Sequence, residues 1–77
     1  MTDLVQIISR VLQIDAKGIT PELAINEIPT WNSLSHIELV VSIEEEYHLE
    51  LTGDEIAAMT SVDKIRRTLS LRGVITE

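Results

Sequence analysis

Ser33 stands in the tripeptide Asn32-Ser33-Leu34, at the start of an apolar-periodic stretch that runs to Tyr47 and contains Glu38, Glu44, Glu45 and Glu46. Asn is a favoured N-cap, because its side-chain oxygen accepts from the free backbone N–H groups of a helix's first turn. Ser33 would then project from a loop-helix junction at the positive end of an acidic helix, where a phosphate diester can be held. Nucleophilic catalysis by a serine asks for more: a base in hydrogen-bond reach, oxyanion donors and a water-excluding site. A chain of 77 residues with two histidines, His36 and His48, can hardly supply all three. His36 lies three residues past Ser33 but has no evident partner to orient it. The two histidines are twelve apart, with no cysteine and no third histidine at ligand spacing, so no metal site is expected and both read as surface residues. An enzyme is not expected.

The elements that must position Ser33 follow from apolar spacing. Leu4, Ile7, Ile8, Val11 and Leu12 recur at helical intervals, with Thr2 or Asp3 available as a cap. Gly18 and Pro21 break the pattern and open a long connection through Pro29, into which Leu23, Ile25 and Ile28 can dip apolar side chains so that the loop lies on the core. A second helix is predicted from about Ser33 to Tyr47, then a loop from His48 to Gly53 in which Leu49 and Leu51 alternate with polar residues over too short a run for a sheet. Asp54 can cap a short third helix holding Ile56 and Met59. Thr60 or Ser61, with Asp63, can start a fourth that carries Val62, Ile65, Leu69 and Leu71 until Gly73 stops it. The expectation is a single all-α domain over residues 1–77, a four-helix bundle with a long first loop and a short third helix. Phe is absent and aromatics are 3% of the chain, so the core is expected to be built from Leu, Ile, Val, Ala and Met.

A step of about 100° per residue sorts the faces of the second helix. Leu39, Val40, Ile43 and Tyr47 share one side and are assigned to the core, with Ile37 at its margin. Leu34 and Val41 fall on another side, together with Glu38 and Glu45. Apolar residues interleaved with charge suggest a docking face, on which carboxylates steer a basic partner and Leu34 and Val41 supply desolvated contact. The alternative is a wide core stripe, since a helix packed on two neighbours can bury more than half its circumference.

Thirteen acidic residues against six basic ones give a formal charge of −7, which repels nucleic acid and anionic lipid and favours basic protein surfaces. Absence of cysteine excludes disulfides, and no apolar run is long enough to span a bilayer. A cytoplasmic monomer is the expectation. The acids at Glu44, Glu45 and Glu46 lie near a helix C-terminus, where like charges cost slightly, and retaining that cost is mild support for their use in binding.

The run Trp31-Asn-Ser-Leu-Ser-His-Ile-Glu-Leu-Val-Val-Ser-Ile-Glu-Glu-Glu-Tyr, with the small size, acidity and lack of cysteine, resembles the acyl carrier protein family. The likeness extends over nearly the whole chain, through Met59-Thr60-Ser61-Val62 at the last helix. It implies that Ser33 carries 4'-phosphopantetheine, attached covalently from coenzyme A by a phosphopantetheinyl transferase. The arm's thiol would hold acyl intermediates as thioesters for fatty-acid, polyketide or related enzymes, and the catalysis would belong to those enzymes. The resemblance further implies a partner face at Glu38, Glu44 and Glu45, and a border to the acyl or partner contact at Ile56 and Met59. One departure is Asn32, where the family usually has Asp: Asn keeps the cap but removes a charge that could meet a basic or metal-bearing site on the transferase. Another is the lack of the Gly-Gly that commonly precedes the serine of peptidyl carriers in large assembly lines, which, with the initial Met, favours a discrete carrier. Two alternatives stay open: an aminoacyl or peptidyl carrier with its loading ligase, and an interaction domain of the same fold whose Ser33 is only a helix-start residue.

Overall fold

The computed structural model describes residues 4–74, so the proposed caps Thr2 and Asp3 lie outside the described residues. Four α-helices follow one another: α1 (Leu4–Leu12), α2 (Ser33–Tyr47), α3 (Gly53–Ala58) and α4 (Val62–Leu71), with a 3-10 turn at Ala16–Gly18. The all-α, four-helix expectation holds, with its long first loop and short third helix. α1 buries Leu4, Ile7, Ile8 and Leu12 against Leu39, Val40 and Ile43 of α2, and α4 adds Val62, Ile65 and Leu69. Each set combines steps of three or four residues with, in α1 and α2, one adjacent pair, so each helix turns one stripe inward.

The core differs from expectation in two ways. Trp31 is fully buried at its centre, whereas Ala16, Ala57 and Ala58 are exposed. One large indole fills volume that several small side chains would otherwise have to share. Leu23, Ile25 and Ile28 of the long loop do pack on the core, half-buried.

That loop is also held by backbone. The Ile25 amide donates to Thr60 O at 2.8 Å, and the Val62 amide to Leu23 O at 2.9 Å, around an isolated antiparallel bridge between Ala24 and Ser61. The loop is thereby tied to the junction that starts α4, and its buried backbone groups are satisfied without a strand. Its last turn closes with Asn26 N donating to Trp31 O at 2.8 Å, which sets Trp31 just ahead of α2.

Helix ends carry their own stop and start signals. Ser61 is the N-cap of α4, its side chain accepting from Lys64 N. At the other end Gly73 takes φ 77°, and its amide and that of Val74 donate back to Ser70 O and Leu69 O. A left-handed residue there is cheapest as glycine. The cap of α3 is Thr52 rather than Asp54: Thr52 Oγ1 accepts from Glu55 N at 3.1 Å while Glu55 Oε1 accepts from Thr52 N at 2.9 Å. This reciprocal box satisfies two donors at once, which Asp54 as a cap could not do.

Glu55 also receives Arg72 Nε at 2.8 Å, with Arg72 Nη2 on its other oxygen, so α3 is clasped to the end of α4 by a two-pronged ion pair. The guanidinium and the Thr52 amide hold the Glu55 carboxyl down from its ordinary 4.5 to about 2. A depressed carboxyl contributes stability above its unfolded-state value and loses it as pH falls through the folded one. Wild type should therefore lose part of its stability between about pH 4.5 and 2. Glu55→Gln should be less stable at neutral pH and show a shallower decline in that window, read by denaturant melts at several pH values.

Candidate functional site

The junction that opens α2 is built by two local devices. Asn32 has extended backbone, and its Oδ1 accepts from Leu34 N at 3.0 Å and Ser35 N at 3.1 Å. Ser35 Oγ returns the favour by accepting from Asn32 N at 2.8 Å, which completes a capping box. Thr30 takes no part in the cap; its Oγ1 is buried with no hydrogen-bond partner. The second device joins the residue before the cap to the fourth helical residue: Trp31 and His36 stack with ring centroids 6.2 Å apart, and Trp31 Nε1 donates to His36 Nδ1 at 3.2 Å. These are the positions of a hydrophobic staple, which fixes the angle at which the chain enters a helix.

His36 is therefore not a surface residue, as the sequence alone suggested; it is 8% exposed. Its Nε2 contacts Ile56 O of α3 at 3.1 Å. A ring that satisfies a buried indole and a backbone carbonyl can be buried without an unpaired polar group. His48 is exposed as expected, and ends α2 with φ 55°.

Ser33 is the first residue of the 15-residue α2 and is exposed. Its hydroxyl has no part in the capping box, which uses Asn32 and Ser35. It thus stands at a helix N-terminus with an unencumbered approach from solvent, and the aligned amide dipoles there favour an attached phosphate. The donor chemistry fits a phosphodiester-linked group: one accessible alcohol on a fixed helix start.

The rest of α2's outer surface sorts cleanly. Leu34 is 73% exposed, Ile37 55% and Val41 46%. The wide-core alternative for Leu34 and Val41 fails, and Ile37, assigned to the core margin, joins them on the outside. Glu38 and Glu45 flank this strip and are exposed. Glu44 is turned away: its Oε2 accepts from Leu51 N at 2.8 Å and secures the α2–α3 loop. Ile56 is half-buried, while Met59 is wholly buried and ends α3. Met59 therefore presents no surface to a partner; it is core. Sequence reasoning missed Trp31, Ser35 and Ile37 here. The staple and box spacings around Asn32 were signals that could have found the first two.

Residues 2–69 match the model of the family described as the phosphopantetheine attachment site. The chain belongs to that family. It is also 35% identical, over 60 residues, to the acyl carrier protein of Buchnera aphidicola subsp. Baizongia pistaciae (strain Bp), a match covering 78% of this chain and 77% of that protein. The fold is accordingly that of a carrier of covalent 4'-phosphopantetheine, not of a catalyst. No helix of the described residues is long and apolar enough to cross a membrane.

The cap makes a two-sided prediction. Asn32→Asp should keep stability within about 0.5 kcal/mol, because both residues cap well, whereas Asn32→Ala should lose on the order of 1 kcal/mol. Denaturant melts check both; an Ala variant as stable as wild type would show that the Asn32 bonds are not what holds the first turn.

Proposed function

We propose that this chain is a discrete acyl carrier whose Ser33 bears the 4'-phosphopantetheine arm, attached from coenzyme A by a phosphopantetheinyl transferase. The observation that carries this reading is the accessible Ser33 hydroxyl, left out of the cap at the start of α2 in a chain of the attachment family. When bound, the arm supplies a thiol that carries cargo as a thioester. The chain's own residues do the positioning: Asn32 and Ser35 hold the helix start, and Trp31 and His36 fix its entry.

The outer face of α2 serves as the docking surface in this reading. Leu34, Ile37 and Val41 offer apolar contact beside Glu38 and Glu45, and a partner with basic residues would be drawn by the carboxylates before the apolar strip is desolvated. Such partners are the transferase, a loading ligase and downstream enzymes of fatty-acid, polyketide or related synthesis, in a cytoplasmic setting. The name of the Buchnera relative supports an acyl cargo.

Two experiments test this. After incubation with coenzyme A and a phosphopantetheinyl transferase, wild type should gain the mass of one arm and Ser33→Ala none, with the helical circular dichroism of the two unchanged. Equal mass gain in both would end the assignment. Separately, the paired substitution Glu38→Lys and Glu45→Lys should slow association with the transferase on the order of tenfold at low ionic strength. The gap should narrow as salt rises. Rates indifferent to both charge and salt would remove these acids from the docking face.

A further inference from the structure

The outside of α4 is the basic side of an acidic chain. Four of the six basic residues, Lys64, Arg66, Arg67 and Arg72, fall in α4 or at its end, against one acid there, Asp63. Lys64, Arg67 and Leu71 stand three or four residues apart and so share one helical face. All three are exposed, Leu71 at 89%. They edge a groove of about 450 Å³ between α3 and α4, whose lining includes Ala57, Ala58 and Thr60. The exposed alanines keep its α3 side low, which lets another helix approach closely. The charge there is only partly used. Lys64 Nζ donates to Thr60 Oγ1 at 3.3 Å, a neutral oxygen. Arg67 Nε lies 3.0 Å from Asp63 Oδ2, yet its side chain stays 76% exposed, and a surface pair of this kind is weak.

A matching strip lies on α2 of the same chain. Leu34, Glu38, Val41 and Glu45 follow one another at steps of four, three and four residues, and all are exposed. In reverse order, Leu71, Arg67, Lys64 and Thr60 have the same steps. An antiparallel pairing therefore sets Leu34 on Leu71, Glu38 on Arg67 and Val41 on the Lys64 stem. It brings Glu45 to the level of Thr60, where the Lys64 ammonium already points. Asp63 falls opposite Ser42, so the acid of α4 meets no acid in this register. Helices rise about 1.5 Å per residue, so the match holds over about 10 Å from Leu71 to Lys64. Both strips are exposed in one molecule, so they do not meet within a copy.

We propose that the α3–α4 groove of one copy receives the outer face of α2 of a second copy, in a head-to-tail contact. The contact is heterologous and leaves each copy with one strip unfilled. Two short strips bury less than the roughly 1,200 Å² of a stable interface, and each copy carries −7. Association is therefore weak, with a constant on the order of 1 mM. It needs enough salt to screen the net repulsion, which acts over longer distances than the close pairs do. With α2 as the docking surface proposed above, a neighbouring copy closes that surface to enzymes when the carrier is concentrated. This consequence rests on the docking reading; the contact itself does not, and it does not depend on the arm at Ser33.

The test uses unmodified 15N-labelled protein at about 0.15 M salt, diluted from about 3 mM to about 0.03 mM to span the expected constant. Amide signals of Leu34 to Glu45 and of Ala57 to Leu71 should shift together and return on dilution. The paired substitution Glu38→Lys and Glu45→Lys lowers the net repulsion yet should weaken association about tenfold, because bases then face bases. Lys64→Glu with Arg67→Glu should weaken it as much, and an equimolar mixture of the two variants should regain it. Leu71→Ser should weaken it several-fold with the helical circular dichroism unchanged. Spectra indifferent to concentration would overturn the proposal. So would shifts confined to one strip, which mark a symmetric contact, or a mixture no more associated than its components. Stronger association on reversing Glu38 and Glu45 would assign any effect to net charge and overturn it too. Should the Lys64 and Arg67 variant fail to fold, Leu71→Ser and the α2 variant decide the matter. The mass and transferase assays run on dilute protein, where copies stay apart, so each failure is read separately.

Discussion

The structure depends on how the chain enters α2. A helix start leaves four backbone N–H groups without partners, and here they sit beside Ser33, the residue proposed to carry the arm. Asn32 and Ser35 satisfy donors on both sides of the junction, and Trp31, locked to His36, sets the direction of entry from inside the core. Ser33 is spared structural duty because its neighbours perform it. The same geometry turns Leu39, Val40 and Ile43 onto α1 and leaves Leu34, Ile37 and Val41 outside. Burying Trp31 thus does two things at once: it supplies a large part of the apolar core, and it fixes which face of α2 meets solvent.

Much of the charge is used structurally, which narrows what remains for recognition. Glu55 and Arg72 clasp α3 to α4, Glu44 holds the α2–α3 loop, and Glu27 closes a turn of the first loop. Arg67 pairs with Asp63 one turn away on α4 at 3.0 Å. Glu38 and Glu45, exposed along the apolar strip of α2, are the acids through which the proposed docking face would draw a basic partner at long range.

The helices were legible because apolar periodicity and polar caps pointed to the same boundaries. α2 spans Ser33–Tyr47 as expected, and α1 and α4 turn inward most of the residues their spacing indicated, whereas Leu71, the last residue of α4, is 89% exposed. α3 was harder. With six residues it has little periodicity, and its start was decided by the reciprocal Thr52 and Glu55 box rather than by Asp54. Composition misdirected the core: few aromatics suggested an aliphatic interior, yet a single indole can dominate a small one. His36 was unreadable as a buried residue because what permits its burial is a carbonyl twenty residues away, at Ile56. The docking of the first loop onto Thr60 and Val62 was hidden for the same reason, as its hydrogen bonds are long-range and backbone-made.

The central claim is that one hydroxyl at this junction is free to be modified and its near neighbour is not. Ser33 and Ser35 are two residues apart in one helical turn, but Ser35 is buried and committed to the Asn32 box. Fragmentation mass spectrometry of peptides from protein treated with coenzyme A and transferase separates the two. The account predicts that every arm-bearing fragment assigns the group to Ser33. A phosphopantetheinyl group on Ser35, or on any other serine, would contradict it.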